Sequence, residues 1–174
     1  MPFRLHRNAC VVLAGLFLSA GCTIHHQGGT TITRTTSTST RTTTLMHASG
    51  PFDVKVIPRA PSDGAVPSPI SIMTLDKHFH GTLEGPSVGE MLASRSESAG
   101  SAVYVALERV TATLGGRHGS FVLAHTGTMT KEGQHLLITV APGSGTSELV
   151  GLTGTMGIRI EGGAHFYDFE YELP

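Results

Sequence analysis

The chain has 174 residues, with 12 lysines and arginines against 13 aspartates and glutamates, and a formal net charge of -1 at pH 7. From residue 51 onward the balance is eight basic against thirteen acidic side chains, which excludes the basic surface that nucleic-acid binding requires. Only Cys10 and Cys22 are cysteines, and Cys10 lies in a leader segment, so an internal disulfide and a thiolate metal site are excluded too.

The N-terminus has the organisation of a bacterial export signal. Arg4 and Arg7 give it a cationic start, and an uncharged apolar run at 9–20 follows. This run is too short to span a bilayer as a helix of the mature protein. We therefore predict a lipoprotein-type signal peptide at 1–21.

The signal ends in Leu18-Ser19-Ala20-Gly21-Cys22, which resembles a bacterial lipobox, although Ser19 stands where lipoboxes usually have an aliphatic residue. In a lipobox the cysteine is acylated and becomes the first mature residue. We predict that Cys22 is lipidated and that the protein is a cell-envelope lipoprotein, anchored in a membrane with its domain outside the cytoplasm. Cleavage near Ala20 without lipidation, which gives a soluble secreted protein, is the alternative.

Residues 22–50 are rich in serine and threonine, and two arginines are their only charged residues. The run TTITRTTSTSTRTTT has no apolar face to bury, so nothing compensates the entropy lost if it orders. We predict a disordered tether here, followed by a folded domain at 51–174. His25 and His26 lie on this tether and are expected to be solvated rather than to bind a metal.

The domain at 51–174 shows no long helical periodicity. Clusters of Gly, Pro, Ser and Asp separate about eight runs with the alternation typical of strands. These runs lie near 52–57, 70–83, 88–95, 102–114, 119–130, 134–141, 153–161 and 164–173. The pattern predicts one all-β domain, either a sandwich or a barrel, and a closed barrel would remove exposed strand edges.

His78 and His80 are two residues apart on the second run, so they share one face of a strand, opposite Phe79. Two such histidines could bind zinc or copper only with at least a third ligand. His118 and His135 are conceivable, but nothing in the spacing points to either. We predict solvated, outward-facing histidines and no metal site.

The segment 102–128 predicts a hairpin, because Gly115-Gly116 separates two strand-like runs. With a two-residue loop, Ala106 lies opposite His125 and Glu108 lies opposite Leu123. With a four-residue loop, Glu108 lies directly opposite His125. Either even loop puts Glu108 and His125 on one sheet face, whereas a loop of three or five residues would separate them.

Both faces of this hairpin carry apolar side chains. The face of Glu108 and His125 also presents Tyr104, Val110, Phe121 and Leu123, and the opposite face presents Val103, Val105, Leu107 and Val122. Apolar residues on the outside of a barrel are expected to be covered. We therefore predict a subunit interface on this outer face, and hence a homo-oligomer.

The glycine-rich segment 143–154 invites comparison with a phosphate-binding loop. Such a loop needs a following helix and usually a lysine, but here no lysine follows and the next run is a strand. We predict a tight corner of the backbone, with no phosphate bound.

The last two runs give a clear distinction between inside and outside. The turn Gly162-Gly163 joins them, and the final run alternates between an apolar and an acidic face. The set predicted to face inward is His165, Tyr167, Phe169, Tyr171 and Leu173, with Met156, Ile158 and Ile160 across the hairpin. On the outside, Arg159 is predicted to lie close enough to pair with Asp168.

Five motifs together resemble the bacterial domain-of-unknown-function family 3224, in order as well as in spacing. They are Phe79-x-Gly81-x-Leu83-x-Gly85, TyrValAlaLeuGluArgVal at 104–110, LeuGlyGlyArg at 114–117, GlySerPheValLeu at 119–123 and ProGlySerGlyThr at 142–146. The resemblance covers nearly all of 52–174. It implies an eight-stranded antiparallel β-barrel similar to allene oxide cyclases and dirigent proteins. It implies no activity, because the family has none to transfer and the plant enzymes match only at the glycine-rich turn.

Glu108 and His125 are the candidate chemical groups of this barrel. On a partly apolar wall they could act as an acid–base pair, with Tyr104 as a further proton donor. Alternatively, Glu108 pairs with His125, Arg109 or Arg117 near the rim and only fixes the register of the strands.

Three functions remain open on the sequence alone, and none requires a cofactor. The leading one is binding of a small apolar ligand inside the barrel. The first alternative is a cofactor-free isomerase or cyclase that uses Glu108 and His125, and the second is a scaffold whose barrel is filled by side chains. The candidate ligand-binding residues are Tyr104, Glu108, Phe121, Leu123, His125, Tyr167 and Phe169.

Overall fold

The structure, a computed structural model, describes residues 44–60, 69–96 and 100–174. The predicted signal peptide, the lipidation site at Cys22, and the tether up to residue 43 lie outside the described residues. Within the described ranges, no helix is both long enough and apolar enough to cross a membrane.

Eight antiparallel strands form a closed barrel in which each strand pairs with the next and the last pairs with the first. The strands are β1 Leu45–Pro58, β2 Ile70–Phe79, β3 Leu83–Ser96, β4 Ser101–Leu114, β5 Arg117–Thr130, β6 Gly133–Val140, β7 Thr153–Glu161 and β8 Ala164–Glu172. The only helical piece in the described ranges is a 3-10 turn at Ser147–Leu149. The all-β prediction and the eight-stranded barrel are confirmed, and the sandwich is excluded.

The first strand begins earlier than the sequence suggested. β1 starts at Leu45, and its first half pairs with β8 from Leu45 opposite Glu172 to Phe52 opposite His165. Ala48 is buried in the core. The predicted domain boundary at residue 51 was therefore too late. The threonine-rich run continues directly into β1, so the alternation at the N-terminal end of β1 was not recognised in the sequence.

One end of the barrel is filled by large side chains. This filled end is the one at which tight connections join β2 to β3 and β4 to β5. The Phe79 and Tyr167 rings pack edge to face at 5.4 Å, and Phe121 and Phe169 stack at 5.9 Å. Tyr167 also accepts a hydrogen bond from the Leu83 amide at 2.9 Å. The lumen here is therefore a packed core.

The inward set predicted for the last hairpin is mostly confirmed. Four of the five β8-side residues are buried, namely Tyr167, Phe169, Tyr171 and Leu173, and so is Met156 on β7. Ile160 was predicted to face inward but is 64% exposed, because it lies at the open end of β7 where little packs against it. The Arg159 Nε lies 3.7 Å from Asp168 Oδ2, which confirms that pairing.

β6 and β7 form the weakest junction of the barrel. Only Thr139 opposite Thr155 pairs these two strands. The glycine-rich connection between them folds back along β5 instead, where Ser144 and Thr146 accept hydrogen bonds from the Val122 and Ser120 amides. A side chain at Gly145 would collide with the Leu149 carbonyl oxygen, so the tight corner predicted here is confirmed.

The outer surface of β3 and β4 is apolar and accessible. Leu107 is 62% exposed and Val88 is 60% exposed, and Leu92, Val103 and Val105 lie on the same surface. The subunit interface predicted from the outer face of the 102–128 hairpin stays a prediction.

Candidate functional site

The β4–β5 hairpin fixes the orientation of the candidate acid and base. Its loop is the two residues Gly115 and Gly116, since Leu114 lies opposite Arg117. Ala106 is then opposite His125, and Glu108 is opposite Leu123. Of the two even loops considered, the two-residue loop is confirmed. Both side chains consequently point into the barrel, where Glu108 is 0% and His125 is 5% exposed.

The Glu108 carboxylate is held by three other buried side chains, and we call the four residues Lys77, Ser87, Glu108 and His125 the charged layer. Lys77 Nζ donates to Oε2 at 2.6 Å, and Ser87 Oγ donates to Oε1. His125 Nε2 lies 3.1 Å from Oε2. Lys77 is also within reach of aromatic faces, at 5.3 Å from the Phe52 ring centre. The charged layer is thus an ionic cluster in the barrel interior.

His125 contacts this cluster without completing a hydrogen bond. Its Nε2 is close to Glu108 Oε2, yet the direction between them does not meet hydrogen-bond geometry. Among the described residues, it is the buried side-chain polar atom without a hydrogen-bond partner. The imidazole is therefore in close contact with the Glu108 carboxylate but is not aligned with it.

Opposing effects act on the pKa of Glu108. Burial alone would raise it, but the His125 ring, the Lys77 charge and the Ser87 hydroxyl stabilise the carboxylate and bring the pKa down to about 2. Glu108 is consequently ionised at any physiological pH. Within the charged layer Glu108 is a permanent anion, and Lys77 and Ser87 are its hydrogen-bond donors.

Lys77 and Ser87 were missed by the sequence reasoning, which considered Arg109 or Arg117 as partners of Glu108. Those arginines instead donate to Ser120 and to the Pro174 carbonyl oxygen. The sequence did contain an indication that Lys77 faces the interior. It stands between Leu75 and Phe79 in the inward alternation of β2.

Two glycines make room for the charged layer and the ring above it. A Cβ at Gly89 would lie 2.4 Å from the Leu107 carbonyl oxygen and 2.8 Å from Glu108 Cα. A Cβ at Gly127 would lie 2.1 Å from the Tyr104 ring. The strands therefore approach closely beside Glu108, and the Tyr104 ring lies flat against Gly127.

The opposite end of the barrel holds a cavity of about 390 Å³, which we call the mouth. Its walls are mainly small residues and methionines, with Tyr104, Arg95 and two serines as polar members. Burial, and to a lesser degree the Glu108 charge, raise the pKa of the Tyr104 phenol. The side chains that line the cavity with inward orientation include Met73, Met91, Ala93, Ala102 and Met129.

The candidate ligand-binding residues thus divide into three levels. Tyr104 lines the mouth, and Glu108 and His125 lie deeper, in the charged layer. Phe121, Leu123, Tyr167 and Phe169 are fully buried in the core cluster of the filled end. Only Tyr104 among the seven is placed where an incoming ligand could touch it without rearrangement of the core.

His78 and His80 lie on the outside of the barrel, as expected from their alternation with the buried Phe79. Their neighbours are Glu84 and Asp53 rather than His118 or His135. His118 instead contacts the Thr113 hydroxyl at 2.8 Å.

The fold and this interior define a small antiparallel barrel protein, in which the described residues pack one end of the lumen and line a cavity at the other. The chain belongs to the family described as "Protein of unknown function (DUF3224)", whose sequence profile matches residues 48–171. It is similar to a crystal structure of a DUF3224 protein of unknown function from Shewanella oneidensis MR-1 at 1.84 Å resolution, with 45% identity and a TM-score of 0.68. That match covers 75% of this chain and 98% of the other. Among curated proteins, none matches the chain significantly.

Proposed function

We propose that this protein binds a small apolar molecule in the mouth of its barrel. The observation that carries the proposal is the cavity of about 390 Å³, walled by Met73, Met91 and Met129. Ligand pockets are typically concave, mostly apolar and of this size or larger. Methionine side chains are flexible and polarizable, so they adapt to ligands of differing shape.

The depth of the proposed binding site is limited by the side chains that fill the lumen beneath the mouth. The charged layer and the packed aromatic residues occupy the lumen below the mouth, so the ligand is short and stays within the mouth. Tyr104 and Arg95 are the larger polar side chains of the mouth and orient a polar end of the ligand. The apolar part of the ligand contacts the methionines.

A cofactor-free isomerase is less well supported by the same geometry. A general base works best with a pKa near the working pH. The pKa of Glu108 is about 2, and Lys77 and Ser87 already occupy both carboxylate oxygens. These contacts favour a structural role for Glu108 over proton abstraction.

Filling the mouth tests the binding proposal. Ala93→Trp places a large ring in the cavity, while Thr155→Trp places the same ring on the exposed outer face of β7. With the fluorescent probe anilinonaphthalene sulfonate, we expect saturable binding to the parent chain, at least about ten-fold weaker binding to Ala93→Trp, and unchanged binding to Thr155→Trp. Equal binding to all three would show that the dye binds elsewhere and would overturn the proposal. Mass spectrometry of a solvent extract identifies any co-purified molecule.

We also propose that the barrel is attached to the bacterial envelope through a lipid on Cys22. The support is the lipobox-like sequence and the serine- and threonine-rich segment after it. Cys22→Ser should move the protein from the membrane fraction to the soluble fraction or leave the signal unprocessed. Cys10→Ser, within the leader, is the matched control and should stay membrane-bound. Normal processing and membrane retention of Cys22→Ser would contradict the anchor.

A further inference from the structure

A cluster of two imidazoles and two carboxylates lies on the outer surface at the filled end of the barrel. We call His78, His80 and Glu84, with Asp53 behind them, the rim cluster. His78 lies near the end of β2, His80 directly follows that strand, Glu84 is the second residue of β3, and Asp53 lies on the neighbouring β1. One ligand atom from each of His78, His80 and Glu84 lies within 4.8 Å of the other two.

Two separations within this cluster match those of ligands around one metal ion. His78 Nε2 is 3.2 Å and His80 Nδ1 is 3.5 Å from the same oxygen, Glu84 Oε1. Tetrahedral zinc with nitrogen and oxygen ligands at 2.0–2.1 Å has ligand-to-ligand separations of about 3.3 Å. The two nitrogen-to-oxygen separations therefore already match this value, and the two histidine nitrogens lie within 4.8 Å of each other.

Two further contacts hold the ligands in this orientation. His80 Nε2 lies 3.1 Å from Asp53 Oδ2, so its other nitrogen, Nδ1, is directed toward Glu84. The Gly81 amide donates to Glu84 Oε2 at 3.1 Å, which leaves Oε1 facing the histidines. A carboxylate that accepts the second ring N–H of a ligating histidine is a regular feature of metal sites, because it fixes the tautomer and raises the basicity of the ligand.

We propose that His78, His80 and Glu84 bind one zinc ion, with Asp53 as the outer carboxylate that positions His80. Three protein ligands leave the fourth position of the tetrahedron open to water. Copper(II) would compete for the same atoms and bind more tightly, as the order of divalent metal affinities requires. This site is independent of the mouth, which lies at the other end of the barrel.

The direct test is calorimetric titration of the full chain, purified without a polyhistidine tag, with zinc chloride. We expect one zinc ion per chain, and loss of that site in His78→Ala and in Glu84→Gln. Asp53→Asn should weaken binding by about 10- to 100-fold, as loss of an outer-shell partner does. All of these side chains are on the surface, and circular dichroism verifies that each variant remains folded.

Two controls distinguish zinc binding at this site from zinc binding by other histidines of the chain. His47 is another exposed histidine beside a carboxylate, 3.1 Å from Asp168, but among the described residues it belongs to no such group of three, so His47→Ala should bind like the parent. A chain with His25 and His26 both replaced by alanine should also retain the site. Absence of zinc binding by the parent chain, or loss of it only when His25 and His26 are replaced, would overturn the proposal.

Discussion

Lys77→Met should lower the free energy of unfolding by about 3–5 kcal/mol, since it leaves an ionised carboxylate buried without its cation. Glu108 is fully buried, and its 2.6 Å bond to Lys77 is the only contact in the charged layer from a lysine or arginine. Lys55→Met, an exposed position on β1, removes the same charge and should change stability little. Urea unfolding of each variant measures the difference.

The double variant Lys77→Met/Glu108→Gln tests whether this loss of stability comes from leaving the Glu108 carboxylate buried without a cation. Once the carboxylate is neutral, its need for a cation disappears, so the double variant should be clearly more stable than the sum of the single losses implies. The same comparison for Glu108→Gln and His125→Ala measures how strongly the imidazole is coupled to the carboxylate. Strict additivity in both cycles would mean that the charged layer does not act as a unit.

The second large effect is the loss of stability in acid. The pKa of Glu108 is lowered from 4.5 to about 2 in the folded protein, so the unfolded chain takes up a proton first as the pH falls. The stabilisation from this group is therefore complete above pH 4.5 and is lost as the pH drops toward 2. At 1.36 kcal/mol per pKa unit, the total is about 3 kcal/mol.

The acid effect is measured as a difference between chains, because other carboxylates titrate in the same range. The free energy of unfolding of the parent should fall more steeply between pH 4.5 and 2 than that of Glu108→Gln. Glu90→Gln, which removes an exposed carboxylate paired with Arg59, should follow the parent. Parallel curves for the parent and Glu108→Gln would contradict the low pKa.

The sequence predicted those features that the β4–β5 hairpin sets by itself. Gly115-Gly116 sets the register of β4 and β5, and alternation correctly places Glu108 and His125 inside. The partner of Glu108 was missed because Lys77 is on β2 and β3 lies between the two strands. Such a contact depends on the curvature of the closed barrel, which alternation along a single strand does not encode.

For a similar reason, the sequence did not show which of the candidate ligand-binding residues line the cavity. Alternation shows that Phe121, Leu123, Tyr167 and Phe169 face inward, but it does not show which end of the lumen is packed. That depends on how side chains from all eight strands share the volume at each level. In the part of the chain that the structure describes, a cavity remains at the mouth because small residues such as Ala93 and Ala102 face inward there, whereas aromatic rings face inward at the filled end.

The weak junction between β6 and β7 is the place where the barrel would open most easily, and opening there determines which strands become the edges of the sheet. Unrolled at that junction, the sheet runs from β7 through β8 to β1 and onward to β6, so the first strand of the barrel becomes an interior strand. Leu45 opposite Glu172 joins the two ends of the domain, which makes this pairing among the slowest to form by loop closure. A chain made from its N-terminus therefore carries one unpaired edge of β1 until β8 has been made, and during that interval the edge is open to pairing with another chain.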